Sequence, residues 1–258
     1  MIARLELAWD GTRYSGWQRQ NDAVTIQQSL EEALARLTGE TVAAIGAGRT
    51  DAGVHAHGQV VSFRLERDFP LSGLVHGTNH HLPADIRVLA AASAAEDFHA
   101  RRSAIAKEYR YRLWRGRTPP PDRAPFVVAT ETDVSIDALA AAARLCVGAH
   151  DFAPFSVTGG APGPTVRRIF AAGWESDGPE LVFRVTGEGF LRGMVRRLVG
   201  TQLELARGRR TLDALAALLA DPGAGEAGPS APARGLALER VDYADGPGAG
   251  PGGLRAVG

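Results

Sequence analysis

Asp51 is the residue of this chain whose surroundings could most readily support chemistry. It lies in the decapeptide of residues 48–57, with Arg49 two positions before it and Gly53 two positions after it. Glycines in such a loop allow a sharp turn and the close approach of a ligand to a catalytic carboxylate. An aspartate in a loop can equally be a turn residue whose side chain bonds its own backbone. The residue types and their spacing leave both interpretations open.

Three other features suggest different chemistry and are weaker. His55 and His57 share one face of a predicted strand and could bind a metal, but no cysteine or glutamate pattern completes a site. The glycines of residues 46–48 are followed by Asp51 and a strand rather than by a helix, which disfavours a nucleotide-binding loop. Cys146 lies close to a run of alanines and is predicted to belong to the core.

The composition is that of an ordinary globular protein. The chain has 258 residues, 45% of them hydrophobic, and its 29 basic and 29 acidic residues give a net charge of zero. A nucleic-acid partner would therefore have to bind a local basic face. The single cysteine and the lack of a signal peptide or a long apolar run predict a location in the reducing cytoplasm.

Hydrophobic periodicity in the first half predicts the element order βαββαβ, followed by a long strand. The predicted strands are residues 2–8, 41–45, 59–63, 86–92 and 104–114, and the predicted helices are residues 25–36 and 71–79. The Asp51 loop then joins the second strand to the third. This order is typical of a ferredoxin-like α+β fold, in which helices cover an antiparallel sheet.

The second half repeats this theme less clearly. Its predicted helices are residues 135–147, 190–206 and 212–219, and its predicted strands are residues 165–175, 181–187 and 236–243. We predict an N-terminal α+β half at residues 1–112, which carries the Asp51 loop, and a C-terminal α+β half at residues 113–243. Residues 244–258 are rich in glycine and proline and are predicted to be a disordered tail.

Short motifs along most of the chain point to one known family. They are found at residues 10–12, 16–18, 48–56, 82–86, 98–101, 109–111, 150–152, 165–167, 189–196 and 231–236. Residues 48–56, Gly-Arg-Thr-Asp-Ala-Gly-Val-His-Ala, resemble the signature of the A-type tRNA pseudouridine synthases. These enzymes isomerise uridines in the anticodon stem-loop, and the resemblance extends over residues 3–243.

The resemblance implies a fold, an activity and partners. The fold would be two ferredoxin-like or RRM-like halves forming a mixed, mainly antiparallel sheet, with helices on one face and an active-site cleft on the other. The activity would be isomerisation of uridine to pseudouridine at tRNA positions thirty-eight, thirty-nine and forty, without a cofactor or a metal. The partners would be the tRNA anticodon stem-loop and a second copy of the chain, in a cytoplasmic homodimer.

Three residues match the catalytic residues of that family. Asp51 matches the nucleophile, Arg196 the arginine that pairs with it, and Tyr109 the tyrosine that packs on the target uracil and is the candidate for removing the C5 proton. Apart from the resemblance, Arg196 could be a solvated helix residue beside Arg192 and Arg197. Tyr109 could likewise be a strand residue whose ring packs on one face of a sheet.

The resemblance also implies an RNA-binding surface. Arg49 matches the family arginine linked to base flipping, and the full set of implied RNA-binding residues is Arg49, Phe98, His99, Ala100, Arg101, Arg102 and Tyr109. Four further arginines could contact phosphates or be solvated surface charges, namely Arg13, Arg19, Arg167 and Arg168. The chain departs from the family at Arg102, where phenylalanine is usual, and in the loop of residues 158–164, which lacks the usual polar and basic residues.

Two other functions are compatible with the same motifs. One is a non-catalytic RNA-binding module on the same scaffold, and the other is a pseudouridine synthase with a different target uridine. A module without activity would be expected to have lost Asp51, Tyr109 or Arg196. All three are present, which favours the enzyme.

Overall fold

The computed structural model describes residues 1–130, 134–157 and 163–244, so almost all of the predicted tail and most of the loop of residues 158–164 lie outside it. Among the described residues, no helix is long and apolar enough to cross a membrane. The helices and strands, in chain order, are β1 (Ile2–Trp9), α1 (Ile26–Thr38), β2 (Ile45–Gly46), β3 (His55–Arg64), α2 (Leu71–His81), β4 (Ile86–Ala94), β5 (Ala104–Arg115), β6 (Val128–Thr130), α3 (Ile136–Leu145), β7 (Gly148–Asp151), β8 (Val166–Asp177), β9 (Glu180–Gly187), α4 (Met194–Ala206), α5 (Leu212–Ala220) and β10 (Leu236–Tyr243).

The chain forms two compact units. The first contains Met1–Lys107 together with the chain from Leu238, and the second contains Glu108–Ala237. Strands β5 and β10 therefore contribute residues to both units. The division into functional halves at residue 112 stays a prediction.

The first unit is built on antiparallel strands in the order β4-β1-β3-β10, with β2 paired to β3. Strand β1 is central: Leu5 lies opposite Val61 on β3 and opposite Ala91 on β4. Ala3, Leu5 and Leu7, which alternate along β1, are fully buried because they share one face of the sheet. The order β4-β1-β3-β2 is that of a ferredoxin-like unit, as the sequence pattern predicts.

Helix α1 begins and ends where its sequence predicts. The Thr25 hydroxyl accepts a hydrogen bond from the Gln28 N–H (3.3 Å), which satisfies one of the free donors of the first turn. Gly39 ends the helix with φ 74°, and its N–H donates to the Ala35 carbonyl (2.9 Å). Helix α1 packs against α2, which in turn packs on β4. The buried face of α1 consists of Ile26, Leu30, Ala33 and Leu34.

The second unit has the strand order β5-β9-β8-β7, and β6 pairs with β5 in parallel. Strands β8 and β9 form an antiparallel hairpin. Strand β7 pairs antiparallel with the other edge of β8. Helix α3 packs on β8, α4 and α5. The prediction of a mixed α+β fold with mainly antiparallel strands is therefore confirmed.

The strand predicted at residues 41–45 is reduced to the two residues of β2. The reason is that side chains of α1 bind the backbone of Ala44. The Ala44 N–H donates to Glu31 Oε1 (3.0 Å), and its carbonyl accepts from Gln27 Nε2 (3.1 Å). While it donates to Glu31, the Ala44 N–H cannot also donate to a strand partner.

Helix α4 begins at Met194, four residues later than predicted. Gly193 precedes it with φ 72°, a left-handed conformation that does not continue a helix backwards. The carbonyl of Arg192 instead accepts a hydrogen bond from the Val157 N–H (3.0 Å). The short strands β6 and β7 were not predicted, because three or four residues are too few to show a period.

Candidate active site

Asp51 lies in the loop that connects β2 to β3 in the first unit, and its side chain is half-buried. Its carbonyl accepts a hydrogen bond from the Val54 N–H (3.2 Å), which closes a four-residue turn. Thr50, just before the turn, and Val54, its last residue, are buried. The loop therefore places the Asp51 carboxylate at the boundary between core and solvent.

Residues between β1 and α1 hold this loop from one side. The Trp17 N–H donates to the Thr50 carbonyl (3.1 Å), and the Gly53 N–H donates to the Tyr14 carbonyl (3.2 Å). The first bond lies one residue before Asp51 and the second lies two residues after it. The backbone around the carboxylate is thus fixed on both sides.

Trp9 and Gly11 hold the end of the same loop. Trp9 Nε1 donates to the Val54 carbonyl (3.0 Å), and the Gly11 N–H donates to His55 Nδ1 (3.0 Å). The buried His55 ring also lies beside Asp10, with Nδ1 3.3 Å from Asp10 Oδ1. His55 therefore locks the N-terminal segment to the Asp51 loop.

Gly16 approaches the peptide of Asp51 more closely than a residue with a Cβ atom could. A Cβ atom at this position would lie 2.5 Å from the Thr50 carbonyl oxygen and 3.0 Å from the carbonyl carbon of Asp51. Gly16 also has φ 90°, a conformation that glycine adopts without strain. Both the space and the conformation therefore require glycine here.

Asp85, immediately before β4, anchors the segment that holds the loop. Its carboxylate accepts hydrogen bonds from the Tyr14 hydroxyl (2.6 Å) and from Arg13 Nη2 (2.6 Å). Burial by itself would raise the pKa of Asp85, but the bonds from Tyr14 and Arg13 outweigh it and hold the pKa below its usual value. The anchor is therefore ionised at neutral pH and is lost only in strong acid, as pH falls through that lowered pKa.

Gln59 holds the other side of the loop, and Arg49 projects from it. The fully buried side chain of Gln59 donates from Nε2 to the Gly48 carbonyl (2.7 Å). Arg49 is exposed, and its guanidinium makes no hydrogen bond or ion pair with the part of the chain that the structure describes. A free cation thus lies two residues before the Asp51 carboxylate.

The predicted RNA-binding residues 98–102 lie in the turn between β4 and β5, also in the first unit. Phe98 and His99 are half-buried, Ala100 is fully buried, and Arg101 and Arg102 are exposed. Neither guanidinium of this turn has a partner among the described residues. The turn therefore offers two adjacent free cations at the surface.

Two of the other predicted phosphate-binding arginines are already paired. Arg13 bonds Asp85, and Arg19 Nε lies 2.9 Å from Glu31 Oε2. Both pairs lie near the surface, where an ion pair contributes little stability. Their charge is nevertheless balanced, so neither arginine is as available for a phosphate as Arg101 or Arg102.

Tyr109 lies on β5 in the second unit and is buried. Its ring packs edge-on against Phe190, with the centroids 5.1 Å apart and an interplanar angle of 80°. Tyr111, two residues along the strand, donates its hydroxyl proton to the Pro232 carbonyl (2.9 Å). Burial raises the pKa of Tyr111, although the Arg196 and Arg234 cations oppose this effect.

Arg196 lies on α4 and is tied to the segment before β10. Its Nε donates to the Ala231 carbonyl (2.7 Å), and the Ala231 N–H donates back to the Arg196 carbonyl (3.0 Å). The side chain is half-buried. This pair of hydrogen bonds fixes the direction of the side chain, so Arg196 is not a freely solvated helix residue.

Arg197, the next residue, has a structural role. Its three guanidinium nitrogens donate to the carbonyls of Ser156 (3.0 Å), Ala227 (3.2 Å) and Gly228 (3.4 Å). It therefore clamps two loops onto α4. Without the family resemblance, the sequence could not separate Arg196 from Arg197, because their partners lie about thirty to forty residues away in the chain.

The residues that suggested other chemistry have structural explanations. Cys146 is fully buried, and burial raises its pKa to about 12, so the thiol is protonated at neutral pH. His57 Nδ1 lies 3.1 Å from Glu239 Oε1. Within the described ranges, no group of three or more histidine, cysteine, aspartate or glutamate side chains could hold a metal ion.

Asp51, Arg49 and the turn of residues 98–102 belong to the first unit, whereas Tyr109 and Arg196 belong to the second. The catalytic roles of these residues stay predictions. Sequence reasoning missed Tyr14, Asp85 and Gln59 as supports of the Asp51 loop. The only available signal was that Asp85 lies in the motif of residues 82–86 and that Tyr14 lies between the motifs of residues 10–12 and 16–18.

The chain is similar to known proteins over most of its length. A family profile described as "tRNA pseudouridine synthase" matches residues 7–101 and 142–244. A tRNA pseudouridine synthase A from Syntrophotalea carbinolica is 43% identical over 244 residues, which are 94% of this chain and 96% of that protein. A tRNA pseudouridine synthase A from Myxococcus xanthus is 42% identical over 95% of this chain and 92% of that protein. A chain in the crystal structure of a Cbf5-Nop10-Gar1 complex is similar with a TM-score of 0.36 and 13% identity, over 92% of this chain and 48% of that one.

The profile covers most of the chain, and the two relatives cover nearly all of it. The chain therefore belongs to the tRNA pseudouridine synthase family. Both relatives carry the name tRNA pseudouridine synthase A, so the predicted resemblance to the A type is confirmed.

Proposed function

We propose that this protein isomerises uridine to pseudouridine in the tRNA anticodon stem-loop, at positions thirty-eight, thirty-nine and forty. The observation that carries this proposal is the 43% identity to a tRNA pseudouridine synthase A over 94% of the chain. The half-buried Asp51 in a loop fixed on both sides adds to it, because a nucleophile must be held in place.

The reaction rearranges one bond and needs no net oxidation. The bond from ribose C1′ to uracil N1 breaks, the base turns, and a new bond forms from C1′ to C5. The C5 proton leaves and N1 takes up a proton, so the product has the same atoms as the substrate. The protein must supply a nucleophile, a place for the turned base and a group that accepts the C5 proton.

Asp51 is the proposed nucleophile. Its backbone is held by Trp17 on one side and by Tyr14 on the other, so only the side chain needs to move during the reaction. Such preorganisation lowers the entropy that is lost on reaching the transition state. Arg49, which is exposed on the same loop, is proposed to occupy the space that the flipped nucleotide leaves. Flipping a base costs a few kcal/mol, which such a contact offsets.

Tyr109 is proposed to pack on the target uracil and to accept the C5 proton. Its burial and its edge-on contact with Phe190 suit a ring that provides one wall of a base-binding site. A free phenol has a pKa of about 10, so to act as a base at neutral pH the ring would need surroundings that lower this pKa. Stacking on the uracil has no such requirement.

Arg196 is proposed to supply the positive charge that keeps the Asp51 carboxylate ionised. Its fixed direction, set by the bond from Nε to the Ala231 carbonyl, suits a charge that must be in one place. We expect Arg196→Leu to lower kcat by at least about 100-fold, because a desolvated carboxylate without its cation is strongly disfavoured.

The matched control for Arg196→Leu is Arg197→Leu on the same helix. Its three backbone contacts predict a lower melting temperature but an unchanged kcat for the folded fraction. Turnover and thermal melts of both variants test this difference. Near-normal kcat in Arg196→Leu would refute the role of Arg196.

We extend the proposal to a cytoplasmic homodimer that needs no cofactor and no metal. The support is the family resemblance, together with a single cysteine that is buried and protonated at neutral pH. Gel filtration with light scattering would test the dimer, and activity after treatment with a chelator would test the metal.

Mapping of pseudouridine in an unmodified tRNA transcript tests the function itself. The wild-type protein should convert the three anticodon-arm positions without added nucleotide or metal. Conversion at another position would support the proposed reaction but show that the target uridine is a different one. Tight binding without conversion would favour a non-catalytic RNA-binding module instead.

A further inference from the structure

The turn between β4 and β5 presents two charged groups on a stretch of backbone, residues 98–103, whose N–H groups all donate hydrogen bonds. The guanidinium groups of Arg101 and Arg102 are exposed and without a partner among the described residues. In contrast, each backbone N–H from residue 98 to residue 103 already donates. The acceptors, in order, are the Ala95 carbonyl, Ser103 Oγ, Ser62 Oγ, His99 Nδ1 twice, and the His99 carbonyl.

Backbone N–H groups often bind phosphate, but none is free from residue 98 to residue 103. The two arginine side chains remain as charged donors, and the Nε2–H of a neutral His99 ring remains as an uncharged one. The position of the two arginine side chains therefore depends on how firmly the turn beneath them is closed.

The ring of His99 closes the turn. Its Nδ1 accepts hydrogen bonds from the N–H groups of Arg101 (3.2 Å) and Arg102 (3.3 Å). Serine, threonine and asparagine side chains make the same kind of bond to amides two or three residues later. Both hydrogen bonds that His99 Nδ1 accepts therefore come from the backbone of the two arginines.

Ala100 anchors the turn from below. It is fully buried, its N–H donates to Ser62 Oγ (3.0 Å), and its carbonyl accepts from the Tyr243 hydroxyl (2.7 Å). The Tyr243 ring contacts the Phe98 ring, with centroids 5.1 Å apart. The guanidinium of Arg4 lies 4.5 Å from the centroid of Tyr243, a buried cation–π contact.

We propose that His99 is a positioning residue, which closes the turn and presents the guanidinium groups of Arg101 and Arg102 to RNA phosphates, and that it does not contact RNA itself. This inference rests on the proposed function, since it takes RNA as the ligand of the two arginines. It replaces the expectation from the family resemblance that His99 belongs to the contact surface. A turn that is already closed does not have to be ordered when RNA binds.

Three substitutions at one position test the proposal. In His99→Asn, the side-chain oxygen lies the same number of bonds from the backbone as Nδ1 and can accept from the same amides. In His99→Gln the acceptor lies one bond further out, and in His99→Ala it is absent. We expect the KM for an unmodified tRNA transcript to rise about tenfold in the alanine and glutamine variants, and to stay within about twofold of wild type in the asparagine variant.

Two outcomes of the binding measurements would overturn the proposal. If His99→Asn loses as much affinity as His99→Ala, the imidazole itself contacts the RNA. If His99→Ala binds like wild type, the closure of the turn has no role in binding. Hydrogen exchange at the Arg101 and Arg102 amides must also accelerate in the alanine variant and not in the asparagine variant. Equal exchange rates in the two variants would refute the closure of the turn by His99.

A separate control distinguishes failure of this inference about His99 from failure of the proposed function. The double variant Arg101→Ala/Arg102→Ala should raise the KM for tRNA and reduce the salt dependence of binding by about one unit of slope per lost phosphate contact. If wild type neither binds nor converts tRNA, the proposed function fails and this inference fails with it. If wild type converts tRNA but the double variant binds it normally, only the inference is wrong.

Discussion

Asp51→Asn is expected to fold and to bind tRNA, while its rate of pseudouridine formation falls by about 10⁴-fold or more. Asparagine has the shape of aspartate but cannot act as an anionic nucleophile. The bonds that fix the loop run through the backbone of Thr50, Asp51 and Gly53, so the substitution leaves them in place. The loss should therefore appear in kcat and not in the KM for tRNA.

This substitution separates the two interpretations of Asp51 that the sequence leaves open. A turn residue that bonds its own backbone keeps that bond as asparagine, because both side chains accept through an oxygen. If Asp51 were only a turn residue, Asp51→Asn would remain active. Single-turnover conversion of a tRNA transcript, with mass spectrometry to show that the amide is intact, decides between them.

Local patterns predicted most elements of the fold. The alternation in β1 and the apolar stripe of α1 each arise from residues that are close in the chain, so the sequence displays them directly. Thr25 and Gly39 mark the two ends of α1 for the same reason. Where the pattern misled, a side chain from elsewhere had bound the backbone, as Glu31 and Gln27 do at Ala44.

The supports of the candidate site were less accessible to prediction. Tyr14 and Asp85 are 71 residues apart, and Trp9 reaches a carbonyl 45 residues away. No period or spacing rule relates such residues, because their proximity is created by the pairing of strands. The sequence therefore indicated which carboxylate to consider, and the tertiary structure was needed to explain why its loop is rigid.

Gly16→Ala tests that rigidity and is expected to lower activity by at least about 100-fold. A Cβ atom there would lie 2.5 Å from the Thr50 carbonyl oxygen, so the backbone next to Asp51 must move. A displacement of about 1 Å at a catalytic group is enough to cost about 100-fold in rate. The fold should survive, because Gly16 lies in a segment between β1 and α1 and not inside either element.

The matched control is Gly39→Ala in the same unit. Gly39 also has a positive φ, 74°, but a Cβ atom there would have no neighbour within 4 Å. Both variants should lose about 1 kcal/mol of stability from left-handed strain. Gly16→Ala should lose more stability than Gly39→Ala because of the overlap with Thr50, and only Gly16→Ala should lose turnover. Urea unfolding and kcat measured on both variants separate the strain from the displacement. If the two variants retain the same kcat, contact between Gly16 and the Asp51 loop does not position the nucleophile, and the rigidity of the loop does not depend on this close approach.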